Sequence, residues 1–306
     1  MTKPKLIIVL GPTAVGKSEL ALELAGRVDA EIINADSQQV YRYMDIGTGK
    51  VSGADRARVP HHLIDVVDPD GEFHAALFRR LATAAAEDIQ RRGKNVVVCG
   101  GTGLYLKALT HGLFSGPGHN PEIRCALEQE ILNRGVGELY RRLAAIDPGV
   151  TSSIHPNDRQ RIVRALEVFE LTGRPLSAWQ KEHSFREEPW NAVKIGLMRE
   201  RNELYDRINR RSEGMIQEGL FEEVCNLVER GFGLDLNPLR GVGYRQMGAV
   251  IRGEMDLPRA TEEMKQETRR LAKRQLTWFR RDGDIRWYHP ETGKQEIFQV
   301  AAEFLQ

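Results

Sequence analysis

The sequence predicts an α/β protein in which helices wrap a parallel sheet and an all-helical domain is inserted into that core. Short apolar runs alternate with helical segments from Lys5 onward, and this spacing is typical of right-handed strand–helix–strand units. Between residues 116 and 189 the pattern is helical without a strand, and an apolar run then returns the chain to the sheet. We therefore expect a core made of residues 1–116 and 190–306, with a helical domain inserted at residues 117–189.

Each element of this core follows from its apolar pattern. The run Lys5–Leu10 is almost continuously apolar, as expected of a strand that is buried on both faces. The helix after it places Leu20, Leu24 and Val28 on one stripe. The remaining predicted elements are a strand at 30–35, an alanine-rich helix at about 75–92, and strands at 96–99 and 192–197. Beyond that point we expect helices, with a basic segment near the end of the chain.

Composition limits the class of protein. The 306 residues are 41% hydrophobic and 28% charged, proportions that are ordinary for a water-soluble globular protein. The net charge is +1, so any affinity for nucleic acid must come from one region of the surface. Three cysteines far apart argue against a disulfide framework or a zinc site. No apolar run approaches the roughly 20 residues of a membrane span. We expect a soluble, cytoplasmic monomer.

The strongest local signal is the segment Gly11–Ser18, which matches the phosphate-binding motif G-x-x-x-x-G-K-[S/T] between a strand and a helix. Its glycines let backbone N–H groups close around phosphate oxygens, and the helix N-terminus and Lys17 add positive charge. Ser18 is the candidate ligand for Mg²⁺. The residues assigned to the polyphosphate are Gly11, Pro12, Thr13, Ala14, Val15, Gly16, Lys17 and Ser18. The motif predicts a core like that of P-loop NTPases, but it does not specify ATP.

The strand ends near this loop differ from those of an ordinary P-loop NTPase or kinase, which place a Mg²⁺-orienting acid there. The strand at 96–99 continues through glycines to Thr102 without a carboxylate. Thr102 offers a hydroxyl where ligands of open α/β sheets bind, although a turn residue is the alternative. The remaining carboxylate at a strand end is Asp36. It is a candidate metal ligand or general base, and its alternative role is a helix cap.

Six ordered blocks resemble the bacterial tRNA dimethylallyltransferases. They read G-P-T-A-V-G-K-S, D-S-Q-Q-V-Y, G-G-T-G-L-Y, N-D-R-Q-R-I-V-R-A-L-E-V, G-V-G-Y-R-Q-M and A-K-R-Q-L-T-W-F-R-R, and they extend from residue 11 to residue 281. The resemblance implies an enzyme that moves the dimethylallyl group of dimethylallyl pyrophosphate onto the exocyclic amine of the tRNA adenosine 3′ to the anticodon. It also implies Mg²⁺, a P-loop that holds pyrophosphate, and a helical insertion that closes on the anticodon stem-loop.

The resemblance further implies roles for individual residues. Asp36 and Thr102 are the implied catalytic residues, and Arg211 is an implied pyrophosphate ligand. The residues implied to contact tRNA are Asp36, Ser37, Gln38, Gln39, Thr102, Arg124, Gln160, Arg161, Ile162, Val163, Arg164, Arg240, Gly241, Val242, Gly243, Tyr244 and Arg245.

Three of the later segments also suit RNA by their own composition. Residues 156–164 place three arginines at the opening of a helix, where they can bind phosphates; the alternative is a solvated face paired with Glu167 and Glu170. Residues 240–245 combine arginines, a tyrosine and two glycines, which suits a loop around an unstacked nucleotide or a simple turn. Residues 261–281 carry seven basic and three acidic side chains, although most such runs are solvated surface. Trp278 and Phe279 there either stack on RNA or belong to the core.

Arg211 falls within the apolar stripe of a helix that starts near residue 202, between Ile208 and Met215. A charge on an inward face needs a partner, which is either an internal acid or a pyrophosphate in the crevice. The tandem His61-His62 suggests a metal site, but adjacent side chains of an extended chain point apart, so we expect a structural role.

Other activities share parts of these features. An isopentenyltransferase acting on free adenine nucleotides would need the same core but no basic surface. A small-molecule kinase would need the missing acidic strand end. An RNA-binding ATPase without transferase activity would leave no modified adenosine.

Overall fold

The computed structural model describes residues 3–113, 116–183 and 188–306. Within these ranges six strands form one parallel sheet in the order β3-β2-β4-β1-β5-β6. The strands are β1 (Lys5–Leu10), β2 (Ala30–Asn34), β3 (His61–His62), β4 (Asn95–Gly100), β5 (Asn191–Leu197) and β6 (Ile285–Tyr288).

The helices follow the same chain order. They are α1 (Lys17–Arg27), α2 (Gly53–Arg58), α3 (Ala75–Arg91), α4 (Gly103–His111), α5 (Pro121–Arg134), α6 (Val136–Ile146), α7 (Pro148–Thr151), α8 (Arg159–Thr172), α9 (Leu176–His183), α10 (Arg201–Gln217), α11 (Leu220–Glu229), α12 (Tyr244–Ile251), α13 (Leu257–Phe279) and α14 (Lys294–Leu305).

Strand β1 lies at the centre of the sheet, between β4 and β5, and its residues from Leu6 to Leu10 are buried. The predicted continuous apolar run is therefore confirmed as a strand covered on both faces. Because all the strands are parallel, their carboxyl ends lie along one edge of the sheet. The loops after β1, β2, β4 and β5 consequently meet at that edge.

Helices dominate beyond residue 197, as predicted, but the sequence pattern did not locate the strand β6. This strand is four residues long, lies at the edge of the sheet, and has only Ile285 fully buried. A strand so short and so exposed has no continuous apolar run, which explains why the sequence pattern missed it. The two-residue edge strand β3 was missed for the same reason.

The chain divides into two compact units, one made of Met1–Thr110 and Glu188–Gln306, the other of His111–Glu187. The first unit contains the sheet and a second apolar cluster, in which Met44, Leu220 and Tyr244 are buried. In the second unit, helices α5–α9 pack around a separate core, and its described residues contain no strand. No helix among the described residues has the length and apolarity needed to cross a membrane.

Candidate active site

The segment Gly11–Ser18 joins β1 to α1 at the carboxyl edge of the sheet. Gly11 has a φ of 148°, and a Cβ there would lie 2.7 Å from the carbonyl oxygen of Leu197, so only glycine fits. Gly16, with a φ of 109°, precedes α1 and provides no side-chain cap. The first N–H groups of α1 are thus available to an anion, as the motif predicts.

A cavity of about 400 Å³ opens on this segment. It is lined by Ala14, Gly16, Lys17, Ser18, Glu19, Gly49, Arg207, Arg210 and Arg211. Four of these side chains are basic and one is acidic, so the cavity carries an excess of positive charge. A ligand with several negative charges, such as a pyrophosphate, suits this lining.

Lys17 is one of the half-buried cations in this lining. Its Nζ donates a hydrogen bond to the carbonyl oxygen of Pro12 at 2.7 Å. Burial lowers the pKa of Lys17 from 10.5 to about 8, and the nearby charge of Arg211 acts in the same direction, whereas Cys99 and Asp36 oppose the shift. An anion bound beside Lys17 would restore the ordinary affinity of its amine for a proton.

Two arginines of α10 reach this end of the sheet. Arg207 donates from Nε to the carbonyl oxygen of Ala14 at 2.9 Å, and Arg211 donates from Nη2 to that of Thr48 at 3.3 Å. Arg211 makes no ion pair with a carboxylate of the described chain, so the internal-pair alternative is not observed. Burial lowers the pKa of Arg211, while the charge of Asp36 acts against that shift. Arg211 therefore lines the cavity, as predicted.

Asp36 and Thr102 are joined through one turn after β2. Oδ1 of Asp36 accepts hydrogen bonds from the N–H groups of Gln38 at 2.8 Å and Gln39 at 3.4 Å. Oγ1 of Thr102 accepts from the Ser37 N–H at 3.0 Å and donates to the Ser37 hydroxyl at 3.3 Å. The structural alternatives for both residues are thus present. These hydrogen bonds are compatible with the predicted catalytic role of Asp36. Its side chain is half-buried and lies close enough to Lys17 to influence the pKa of that residue.

Gln275 was missed by the sequence reasoning, which treated its block only as a basic segment. Its Oε1 accepts from the Thr13 N–H at 2.8 Å and its Nε2 donates to the Gly101 carbonyl at 3.0 Å. One amide thus holds the P-loop against the loop that carries Thr102. Its spacing could have indicated an inward position, because Gln275 lies one turn from the buried Ala272 on α13.

Arg199, after β5, was also missed. Its Nε donates to the carbonyl oxygen of Val15 at 3.0 Å, and its other nitrogens pair with Glu203 and with Glu291, the latter at 2.7 Å. His289 contacts Glu203 at 3.2 Å. Glu203, His289 and Glu291 lie close enough to share a cation, but the Arg199 guanidinium already pairs with both carboxylates. Arg199, held by Glu203 and Glu291, therefore stabilises the P-loop through the Val15 carbonyl.

The segment 240–245 differs from the predicted flexible loop. Tyr244 begins helix α12, is 1% exposed, and donates its hydroxyl to Glu223 at 2.6 Å. Its ring is therefore not positioned to stack on a nucleotide, which corrects that interpretation. Arg240 and Arg245 are exposed, and Gly243 has a φ of 92°. The arginines of this segment remain candidates for RNA contact.

In the helical unit, two of the three candidate arginines, Arg124 and Arg164, pair with Glu167. Glu167 is completely buried, and these pairs measure 2.8 and 2.7 Å. Arg164 also donates to the carbonyl oxygens of Pro117 and Gly118. Of the pairs weighed as the alternative to RNA contact, the structure contains that of Arg164 with Glu167, whereas Glu170 pairs with Arg142. Removing either Arg124 or Arg164 would leave a buried carboxylate with fewer partners.

The other candidates on α8 fall into two groups. The side chains of Ile162 and Val163 are buried in the helical core, so they support the helix and present no apolar surface to RNA. Gln160 and Arg161 are exposed, and Arg161 pairs with Asp158 at 3.4 Å.

Helix α13 presents exposed basic side chains at Arg270, Lys273 and Arg274. Phe279 is buried, whereas Trp278 is partly exposed and lies over Gly103, where a Cβ would come within 2.2 Å of its ring. The core alternative is thus confirmed for Phe279.

The tandem histidines, His61 and His62, have the structural roles that the sequence predicts. His62 bonds to Glu31 at 2.7 Å, and His61 bonds to the carbonyl oxygen of Val59 at 2.7 Å.

Comparison with known proteins identifies the family. The IPP transferase family model matches residues 39–282, and the chain belongs to that family. A tRNA dimethylallyltransferase of Geobacter metallireducens is 54% identical over 285 residues, covering 93% of this chain and 92% of that protein. A tRNA dimethylallyltransferase of Geobacter sulfurreducens is 48% identical over 303 residues, covering 99% of this chain and 97% of that protein.

Solved structures similar to this chain support the same family. A tRNA isopentenylpyrophosphate transferase from Bacillus halodurans has a TM-score of 0.74 at 40% identity, covering 99% of this chain and 97% of that one. A eukaryotic dimethylallyltransferase acting on tRNA has a TM-score of 0.83 at 28% identity, covering 99% and 79%. The predicted family and fold class are confirmed. The chain is a prenyl transferase that uses a pyrophosphate substrate, a chemistry that normally involves a divalent metal.

The lowered pKa of Lys17 predicts that pyrophosphate binding at this site depends on pH. Free Lys17 loses its proton above about pH 8, and a bound anion favours the protonated form, so binding above that pH must take up a proton. The association constant of inorganic pyrophosphate, measured by calorimetry, should therefore fall by up to about tenfold per pH unit above pH 8. Lys17→Arg is the control, because its guanidinium does not titrate in this range while the ligand's own ionisation is unchanged. Equal slopes in the two proteins would contradict the role of Lys17.

Proposed function

We propose that this chain transfers the dimethylallyl group from dimethylallyl pyrophosphate to the exocyclic amine of the tRNA adenosine 3′ to the anticodon and releases pyrophosphate. The observation that carries the proposal is a cavity lined by four basic side chains, with Asp36 close enough to influence the pKa of Lys17, in a chain 54% identical to a tRNA dimethylallyltransferase. The proposed site of action is the cytoplasm, where tRNA is available.

The basic cavity binds the leaving group. An exocyclic adenine amine is a poor nucleophile, so stabilising the departing pyrophosphate supplies most of the rate acceleration. The N–H groups at the start of α1 face the anion, and Lys17, Arg207 and Arg211 supply positive charge. These groups stabilise the negative charge that grows as the bond between carbon and oxygen breaks.

The chemistry of the oxygen donors at this edge suits Mg²⁺. The Ser18 hydroxyl lines the cavity, and the Asp36 carboxylate is near enough to affect the pKa of Lys17. Hydroxyl and carboxylate oxygens are the protein ligands that Mg²⁺ prefers, so we propose that Ser18 holds this metal with the pyrophosphate. When bound, Mg²⁺ would add positive charge beside the leaving group.

Asp36 acts at the amine. Within the described chain only its Oδ1 is engaged, by the N–H groups of Gln38 and Gln39, so Oδ2 remains to accept a hydrogen bond or proton from the amine. The nitrogen then bonds to the allylic carbon as pyrophosphate leaves, and the amine proton passes to Asp36. Thr102 fixes Ser37, and thereby the turn that aims Asp36.

The tRNA has candidate contacts in both units, each considered by itself. In the unit that contains the sheet, the exposed basic side chains are Arg240, Arg245, Arg270, Lys273 and Arg274. In the helical unit the exposed candidates are Gln160 and Arg161. Guanidinium groups suit RNA because they bind phosphates and stack on bases.

The direct test supplies unmodified tRNA, Mg²⁺ and dimethylallyl pyrophosphate labelled in the dimethylallyl group. We expect label on the tRNA, located by digestion on the adenosine 3′ to the anticodon. Label on free adenosine monophosphate in preference to tRNA would favour the enzyme of free nucleotides, and phosphate transfer from ATP would favour a kinase.

The same assay identifies the base. Asn at position 36 retains an Oδ1 that accepts from Gln38, so Asp36→Asn keeps the turn and removes the proton acceptor. Single-turnover transfer should fall by about 10²–10⁴, with binding of both substrates within about tenfold of wild type. Asp70→Asn, at an exposed position, is the matched control. Wild-type turnover in Asp36→Asn would exclude this role.

The basic surface predicts the salt dependence of tRNA binding. Arg245→Ala and Arg274→Ala should each reduce the slope of log affinity against log salt by roughly 0.7, because each removes one phosphate contact with single-stranded RNA. Arg91→Ala is the control, since Arg91 ends α3 at the opposite edge of the sheet. Binding is measured by filter retention at several salt concentrations. Slopes equal to wild type would mean that Arg245 and Arg274 are only solvated surface.

A further inference from the structure

The carboxylate of Glu223, on α11, gathers hydrogen-bond donors from two segments that lie far apart in the chain. Its Oε2 accepts from the N–H groups of Asp45 at 2.8 Å and Ile46 at 2.7 Å. Its Oε1 accepts from the Gly47 N–H at 3.1 Å and from the Tyr244 hydroxyl at 2.6 Å. All four partners are donors, and an ionised carboxylate only accepts, so the set is complementary.

The segment 45–49 continues from this anchor to the pyrophosphate cavity. The carbonyl oxygen of Thr48 accepts from Arg211 Nη2 at 3.3 Å and from Gln39 Nε2 at 3.2 Å. Gly49 lines the cavity, and a Cβ there would lie 2.0 Å from Arg211 Nη2. The position of this segment therefore determines where the guanidinium of Arg211 lies.

Tyr244 brings the segment 240–245 to the same anchor. Its buried ring packs against Gly47, where a Cβ would lie 2.5 Å from Cε2, so the ring lies against the backbone of Gly47 as closely as glycine allows. Burial and the neighbouring Glu223 raise the pKa of Tyr244 well above its ordinary value, so its hydroxyl stays a donor. The next residue, Arg245, is exposed.

We infer that Glu223 and Tyr244 are positioning residues that couple RNA contact at 240–245 to the grip on pyrophosphate at Arg211. The coupling runs from Tyr244 through the Glu223 carboxylate to the segment 45–49. RNA bound at 240–245 then stabilises the arrangement in which Tyr244 and Glu223 hold the segment 45–49, and Arg211 binds the pyrophosphate more tightly. The inference rests on the proposed function, because it assigns 240–245 to tRNA and Arg211 to the donor.

Tyr244→Phe tests the link with little disturbance of packing, because the ring remains and only the hydroxyl is lost. The measurement is the dissociation constant of inorganic pyrophosphate with Mg²⁺, with and without an unmodified anticodon stem-loop RNA. In the wild type the RNA should tighten pyrophosphate binding about fivefold or more, the usual lower range for coupled sites. In Tyr244→Phe the tightening by RNA should disappear, because the hydroxyl that links Tyr244 to Glu223 is lost.

Glu223→Gln is the second variant. Its amide turns one acceptor oxygen into a donor that faces N–H groups, so it should weaken pyrophosphate binding even without RNA and also abolish the tightening. Tyr140→Phe, which removes a hydroxyl bonded to the Thr151 carbonyl in the helical unit, should behave as wild type. Thermal melting checks that each variant is folded. If Glu223→Gln does not fold, the result for Tyr244→Phe alone tests the coupling.

The outcomes separate this inference from the proposed function. Absence of tightening in the wild type, or full tightening in Tyr244→Phe, would overturn the coupling even though labelled dimethylallyl groups still reach tRNA. Absence of label on tRNA with the wild-type protein would instead overturn the proposed function.

Discussion

Positive charge without a matching carboxylate is concentrated at the carboxyl end of β1, and the arrangement of the site depends on it. Lys17, Arg207 and Arg211 donate to the backbone carbonyls of Pro12, Ala14 and Thr48. No ion pair with a carboxylate is found for these three side chains in the part of the chain that the structure describes. Cations held in this way are stabilised by an anionic ligand, and burial makes the interaction stronger than it would be in water.

The surrounding structure holds these cations in place. Gln275 links the Thr13 N–H of the P-loop to the Gly101 carbonyl. Arg199 links the Val15 carbonyl of the same loop to two carboxylates near α10 and β6. Glu223 fixes the segment 45–49, on which Arg211 rests. A fixed arrangement of donors requires little reorganisation as charge develops on a leaving group, which is the condition for electrostatic catalysis.

The sequence predicts those parts of the fold and site that depend on local pattern. The strands β1, β2, β4 and β5 follow from apolar runs, and the P-loop follows from its spacing between β1 and α1. Arg211 was identified because a charge interrupts an apolar stripe. The edge strand β6 was missed because it is short and half-exposed. The burial of Tyr244 and the partners of Gln275 depend on contacts between distant segments, which no local pattern records.

We propose that the P-loop binds the pyrophosphate of an isoprenoid donor. The most direct measurement is a crystal structure with Mg²⁺ and dimethylallyl S-thiolodiphosphate, an analogue whose carbon–sulfur bond resists cleavage. We expect diphosphate oxygens within hydrogen-bond distance of Lys17 Nζ and of the N–H groups at the start of α1, with the dimethylallyl carbon directed toward Asp36. A diphosphate bound away from Gly11–Ser18, with the Lys17 ammonium left on the Pro12 carbonyl, would contradict the account.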